Sequence, residues 1–272
     1  MADQSLKKRL IVAAILAPLV AIFIYLGRWP FTIFITVALS LAAWEYWRMF
    51  RVAGYSPSLI LLVLFTAGAI VMRALFQYQF SDLWLTLLVL TSLSVATVQQ
   101  ARSEPQAAFN FTITISGALY LGWLAGYAVT LRALPNGLIW TLIVLFAASI
   151  GDAGGYFVGI RWGKHKIAPA ISPKKSWEGY FGGVLFSALA TWLLTLACHA
   201  FVPEILPIHG FILGAVLAVI TPLGDFAESM LKRQFNLKDS SHILPGHGGI
   251  LDRIDSSLWA LAIGFYIIQL FL

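Results

Sequence analysis

Long apolar runs alternate with short polar breaks along the whole chain, and the runs set the architecture. They cover residues 10–26, 29–50, 57–75, 83–98, 109–131, 138–160, 179–201, 208–231 and 250–272, each near the roughly 20 residues that a bilayer-crossing helix needs. The runs are continuous rather than alternating, which argues against the short two-period segments of a membrane β-barrel. No polar stretch approaches the ~50 residues of a soluble domain. The pattern predicts an all-α integral membrane protein, a polytopic bundle of about nine transmembrane helices. It forms one membrane domain over 1–272. The Asn136-Gly137 turn separates scaffold helices (1–135) from a half, 136–272, that carries the candidate chemistry.

Composition agrees. Hydrophobic residues make up 60% and charged residues 11%, with mean hydropathy +0.84, against about 25% charged residues in soluble domains. Lys7, Lys8 and Arg9 precede the first run, and no small-x-small cleavage site follows, so that run reads as a retained helix. With the N-terminus in the cytoplasm, the cytoplasmic segments hold 15 of the 18 Lys and Arg residues; only Arg28, Arg73 and Arg132 fall outside. That asymmetry is the positive-inside signature. It puts the C-terminus in the periplasm and the polar loops 161–178 and 232–249 in the cytoplasm, where nucleotides are. A bacterial inner-membrane location is expected. The net charge of +6 then reflects cytoplasmic loops and anionic lipid, with no nucleic-acid partner. Cys198 stands alone and forms no internal disulfide. No internal repeat supports an inverted-repeat transporter. Glu45, beside Trp44, Tyr46 and Trp47, reads as part of an interfacial aromatic belt.

Charge is concentrated in one window. Nine Asp, Glu, Lys and Arg residues lie in 225–255, between two apolar runs. Asp225, Glu228, Ser229 and Lys232 share a helical face by their spacing, and Pro222 should kink or break that helix just before them. Asp252 and Asp255 open the next helix on one face with Ser256 and Trp259, where the macrodipole favours anions. Two acid pairs across a short loop suit a divalent cation with oxygen ligands. Neutralisation by Lys232, Arg233 and Arg253 is the alternative. Between the helices, Pro245-Gly246-His247-Gly248-Gly249 would let backbone N–H groups approach a phosphate. A second polar stretch, 163–179, holds Lys174, Lys175 and Ser176 at the head of a helix, a place suited to a polyphosphate. It is not a P-loop, because Val158 and His165 stand where that motif needs Gly and Ser or Thr. Asp152 is an acid inside an apolar run, and such residues are functional candidates by default.

The spacing Ser229-x2-Lys232-Arg233-x4-Lys238-Asp239-x5-Pro245-x-His247-Gly248-Gly249-x2-Asp252-Arg253-x-Asp255 resembles the signature of the phosphatidate cytidylyltransferases, also called CDP-diacylglycerol synthases. The segments around Ser172–Gly179 and Asp152 resemble that family's other polar stretches. The resemblance covers roughly 140–255 at motif level. It implies that CTP and phosphatidate give CDP-diacylglycerol and pyrophosphate with Mg²⁺. It leaves room for a monovalent cation such as K⁺ and for a homodimer. It implies Asp225 and Asp252 as Mg²⁺ ligands, with Asp255 and Asp152 further or outer ligands. Lys232 and Arg233 join Asp225, Asp252 and Asp255 as catalytic. Lys174, Lys175, Ser176, Ser229, Lys238, Asp239, His247, Gly248, Gly249 and Arg253 are expected at the substrates. A CTP-dependent lipid kinase or a cation-coupled transporter would need some of the same parts.

Overall fold

The computed structural model describes the backbone of residues 2–77 and 79–272, and side chains at 12 and from 14 onward except 78. The basic flank Lys7, Lys8 and Arg9 lies outside the described side chains. Every apolar run of the sequence is helical. The chain divides into two compact units, 1–133 with 234–254, and 134–233 with 255–272.

The first unit contains α1 (Ala2–Leu26), α2 (Arg28–Val52), α3 (Leu59–Phe76), α4 (Ser81–Ala101) and α5 (Ala107–Ala118). A π-helical stretch, Leu119–Leu124, then leads to α6 (Tyr127–Arg132). Gly27 makes the α1–α2 turn at φ 61°, a backbone region open to glycine. The guanidinium of Arg132 donates to the carbonyls of Ile24 (2.7 Å) and Tyr25 (3.2 Å), satisfying the last turn of α1. Arg73 is buried, its guanidinium over the rings of Trp123 (4.5 Å) and Tyr127 (4.0 Å). The flat, weakly hydrated guanidinium is the cation best suited to that position. At the other end of these helices Asn110 accepts from Ser56 N at 2.7 Å, and Gln99 donates to the Ser56 carbonyl at 3.0 Å. Ala69, Trp84, Leu88 and Ala118 form a buried core cluster.

The second unit contains α7 (Gly137–Trp162), a small antiparallel hairpin of β1 (Lys166–Ala168) and β2 (Ser172–Ser176), and α8 (Trp177–His199). It continues through α9 (Pro207–Ile220) and α10 (Pro222–Gln234, to Arg233). Its last element is α11 (Leu251–Gln269) from Asp255 on. The hairpin amends the all-α expectation, which had a plain loop there. Its strands pair Lys166 with Ser176 and Ala168 with Ser172. Small residues four apart on α7 and α8 let their backbones meet. A Cβ at Gly183 would stand 2.6 Å from the Gly151 carbonyl oxygen, and one at Gly179 would stand 2.7 Å from that of Gly155. Between apolar helices in lipid, such close approach supplies the dispersion contact that drives association.

Among the described residues, six helices are long and apolar enough to cross a membrane. They are Leu59–Phe76, Ser81–Ala101, Ala107–Arg132, Gly137–Trp162, Trp177–His199 and Pro207–Gln234, with a shorter apolar stretch at Ala14–Leu26. α2 carries Arg28, Glu45, Arg48 and Arg51, and α11 carries Asp252, Arg253 and Asp255, and neither is among these six. The protein is a helical integral membrane protein.

Candidate active site

Pro222 acts as its chemistry dictates. It has no N–H to continue the helical ladder, and α9 ends at Ile220 while α10 starts at Pro222, with Thr221 between. The Val219 carbonyl beside the break accepts from the Tyr180 hydroxyl at 3.0 Å. α10 then presents its polar face. Ser229 Oγ donates to Asp225 Oδ1 at 3.4 Å, and Lys232 Nζ donates to Glu228 Oε2 at 2.7 Å. Glu228 is 1% exposed and Lys232 7%. Gly224 lets α10 lie against the backbone of α11; a Cβ there would stand 2.7 Å from the Asp255 carbonyl oxygen. Asp255, also buried, accepts from Ser256 N at 2.7 Å.

These turns bring one carboxylate oxygen each from Asp225, Glu228 and Asp255 within 4.8 Å of one another. The β1–β2 hairpin adds a cation. Lys175 Nζ is 2.5 Å from Asp225 Oδ2 and 4.7 Å from the centroid of the Phe226 ring. The hairpin is anchored by Glu178, whose carboxylate accepts from Lys164 N (3.1 Å) and His165 N (3.2 Å) and meets His165 Nδ1 at 2.6 Å. Ser176 caps α8, its Oγ accepting from Gly179 N at 3.3 Å. Lys174 is exposed. Asp152 of α7 is exposed and within electrostatic reach of Lys175, Asp225 and Asp255. Carboxylates about 4 Å apart repel by roughly 4 kcal/mol at the effective dielectric of a protein surface. Two lysines offset only part of this for four acids. Hard oxygen donors at that spacing fit a divalent cation of the Mg²⁺ type. The salt-bridge alternative is also realised in part, at Glu228 by Lys232 and at Asp225 by Lys175, the latter a partner that local spacing does not reveal.

The glycine-rich segment belongs to the first unit. Leu244, Pro245, Gly246 and His247 make a turn closed by His247 N donating to the Leu244 carbonyl at 2.9 Å. Pro245 presets the second position and Gly246, at φ 77°, takes the third, as a type II turn requires. Leu244 N donates to the Gly248 carbonyl at 2.9 Å. Gly248 is at φ 84°, and a Cβ there would stand 2.6 Å from Asp252 Oδ2. That Asp252 oxygen accepts from Ser240 N (2.9 Å), Ser240 Oγ (2.9 Å) and Gly249 N (2.7 Å). His247 Nδ1 is shielded and has no hydrogen-bond partner among the described residues. Lys238 and Arg253 are exposed and Asp239 is half-buried. Arg233, in the second unit, is exposed.

Two acids gain importance that their sequence positions had not conveyed. Helical spacing puts Glu228 on the face of Asp225 without implying a ligand role, and it completes the cluster with Asp225 and Asp255. The aromatic neighbours of Glu45 suggest a belt residue of the scaffold. Glu45 is 0% exposed and binds segment 240–251. One signal was available for it, since a lone acid in an apolar run is functional by default.

Residues 7–271 match the model of the cytidylyltransferase family. The chain is 34% identical over 277 residues to the phosphatidate cytidylyltransferase of Bacillus subtilis (strain 168), covering 97% of this chain and 98% of that protein. It is 36% identical over 266 residues to the phosphatidate cytidylyltransferase of Pseudomonas aeruginosa, covering 95% of each. The enzyme of that name from Mycobacterium tuberculosis (strain ATCC 25618 / H37Rv) is 31% identical over 251 residues, covering 88% of this chain and 75% of the relative. An acidic cluster on a broken helix, a glycine turn bound to the next helix, and a family match over almost the whole length lead to one assignment: the chain belongs to the cytidylyltransferase family.

Proposed function

We propose that this protein transfers the cytidylyl group of CTP to phosphatidate, giving CDP-diacylglycerol and pyrophosphate for phospholipid synthesis. The observation that carries the reading is the joining of two things. The family match spans 7–271, and the family-like signature supplies the convergent acids Asp225, Glu228 and Asp255.

A phosphate oxygen of phosphatidate is the nucleophile, so no side chain need form a covalent intermediate. It attacks the α-phosphorus of CTP, and the bond from that phosphorus to the bridging oxygen breaks as pyrophosphate leaves. The protein has to bring two polyanions together and offset charge as it moves to the leaving oxygen. Asp225, Glu228 and Asp255 would hold Mg²⁺, with Asp152 as an outer acid. When bound, that ion neutralises phosphate charge and orients the oxygens in line. Lys175 and Lys232 are held ready by Asp225 and Glu228. Lys174, Arg233, Lys238 and Arg253, exposed to solvent, attract the phosphates. Ser176 keeps the start of α8 shaped for an anion, and Ser229 fixes Asp225. Asp252, implied as a Mg²⁺ ligand by the resemblance, stands outside the trio of acids and takes the Gly249 N–H, shaping the glycine turn. The turn's Gly248 N–H, with His247, suits a phosphate oxygen, and Asp239 lines the same loop. Nine membrane crossings, a cytoplasmic site in a bacterial inner membrane, and scaffold helices in 1–135 complete the reading. The lipid tails stay in the bilayer, and a K⁺ ion and a second copy of the chain are compatible with it.

Purified protein in detergent should release pyrophosphate from CTP only when phosphatidate and Mg²⁺ are both present. Release without phosphatidate, or none with the full mixture, would remove this reading.

A further inference from the structure

Glu45 sits on α2, in the half of the sequence without candidate chemistry, yet it is completely buried. Among the described residues, its hydrogen-bond partners all lie in one segment. Oε1 accepts from Ser241 Oγ (2.6 Å) and Ile250 N (2.9 Å), and Oε2 accepts from Leu251 N (2.7 Å) and Ser240 Oγ (3.2 Å). The last of these residues is 206 positions away in sequence. Gly249 allows the approach, because a Cβ there would fall onto Ser240 Oγ and the Glu45 carboxylate. Asp252 binds the same segment from the other side, sharing Ser240 Oγ and taking the N–H groups of Ser240 and Gly249.

Ile250 and Leu251 lie at the start of α11, where backbone N–H groups have no helical acceptor. A carboxylate satisfies such donors and complements the helix dipole. An acid at the next turn of the helix would serve as an ordinary cap. A buried acid from a helix some two hundred residues earlier instead ties that helix to both ends of the loop 240–251. The loop contains His247, Gly248 and Gly249.

We propose that Glu45 is a positioning residue for the reaction, holding the glycine turn in the shape that receives a phosphate of CTP. This rests on the functional reading above, and it adds a residue from the helix otherwise assigned to scaffold. Glu45 touches no reacting atom. It acts by fixing the N–H groups of Ile250 and Leu251 at one end of the loop and the hydroxyls of Ser240 and Ser241 at the other. Misplacement of such a group by about 1 Å can cost on the order of 10²-fold in rate.

The test uses full-length protein in detergent. Glu45→Gln keeps the shape but presents an NH₂ group to donors. It should lower kcat/KM for CTP by about 10–100-fold, with KM for CTP raised and KM for phosphatidate within about 2-fold. Hydrogen–deuterium exchange should rise in peptides covering 240–251 and stay at the wild-type level in α7 and α8. Ser241→Ala removes one donor and leaves the carboxylate, so it serves if Glu45→Gln does not fold. It should move both readouts the same way by a smaller factor, and adding it to Glu45→Gln should cost little more. Wild-type kinetics and exchange in Glu45→Gln would overturn the proposal. So would a loss confined to kcat, both KM values unchanged, with exchange raised across the chain. If wild-type protein shows no turnover, the functional reading fails, and the exchange comparison still decides whether Glu45 holds the loop.

Discussion

Two sets of carboxylates in this chain have opposite surroundings. Glu45, in the first unit, is met by neutral donors, two backbone N–H groups and two serine hydroxyls. Asp225 and Glu228, in the second, are met by lysine ammonium groups, and Asp255 lies among other acids. The difference separates two uses of the same functional group. Neutral donors from backbone fix a fold, because each accepted N–H belongs to a chain segment that must stay put. Crowded acids with lysines beside them make a charge centre, whose balance would change on binding phosphates and a metal.

The comparison breaks most easily at the charge centre. Asp225→Asn and Asp255→Asn should each lower turnover by about 10³-fold or more at saturating CTP and phosphatidate, measured as pyrophosphate release. Added Mn²⁺ or raised Mg²⁺ should restore part of it. Turnover near wild type in either variant would remove the metal assignment. At the anchored loop a smaller loss follows. Gly248→Ala places a Cβ on Asp252 Oδ2 at a backbone angle that alanine disfavours, and kcat/KM for CTP should fall by about 10–10²-fold.

Packing changes sharpen the contrast from outside both sites. Gly183→Leu would drive a side chain into the backbone of α7 near Gly151. It should cost about 1–3 kcal/mol of stability, read as a lower melting temperature in detergent, and should lower active fraction without changing either KM. The smallest effect belongs to Ser229→Ala. Its hydrogen bond to Asp225 is long at 3.4 Å, so turnover should change by less than about 3-fold. A larger drop would place Ser229 at a substrate.

Much of this was legible in the chain itself. Apolar runs located the helices, because a bilayer imposes length and continuity on each one separately. Pro222 announced its break, since the missing N–H is a local fact. The facing of Asp225, Glu228, Ser229 and Lys232 followed from helical spacing alone. The contacts that give the sites their shape are long-range, and no local rule carries them. Lys175 reaches Asp225 only because the β1–β2 hairpin folds back, and short strands of Ser, Pro and Lys carry little strand signal. Glu45 meets 240–251 through tertiary packing, and its aromatic neighbours suggested an interfacial belt. The α7–α8 approach was visible as glycines four apart, but the partner of that stripe is fixed only by the fold.

The central claim is cytidylyl transfer to a lipid phosphate, and the fate of the label in CTP tests it most directly. Detergent-solubilised protein would be given phosphatidate, Mg²⁺ and CTP labelled at either the α- or the γ-phosphorus. The account predicts α-label in the lipid-extractable product and γ-label in pyrophosphate. γ-label in the lipid would make the protein a lipid kinase, and label in neither product would contradict the account.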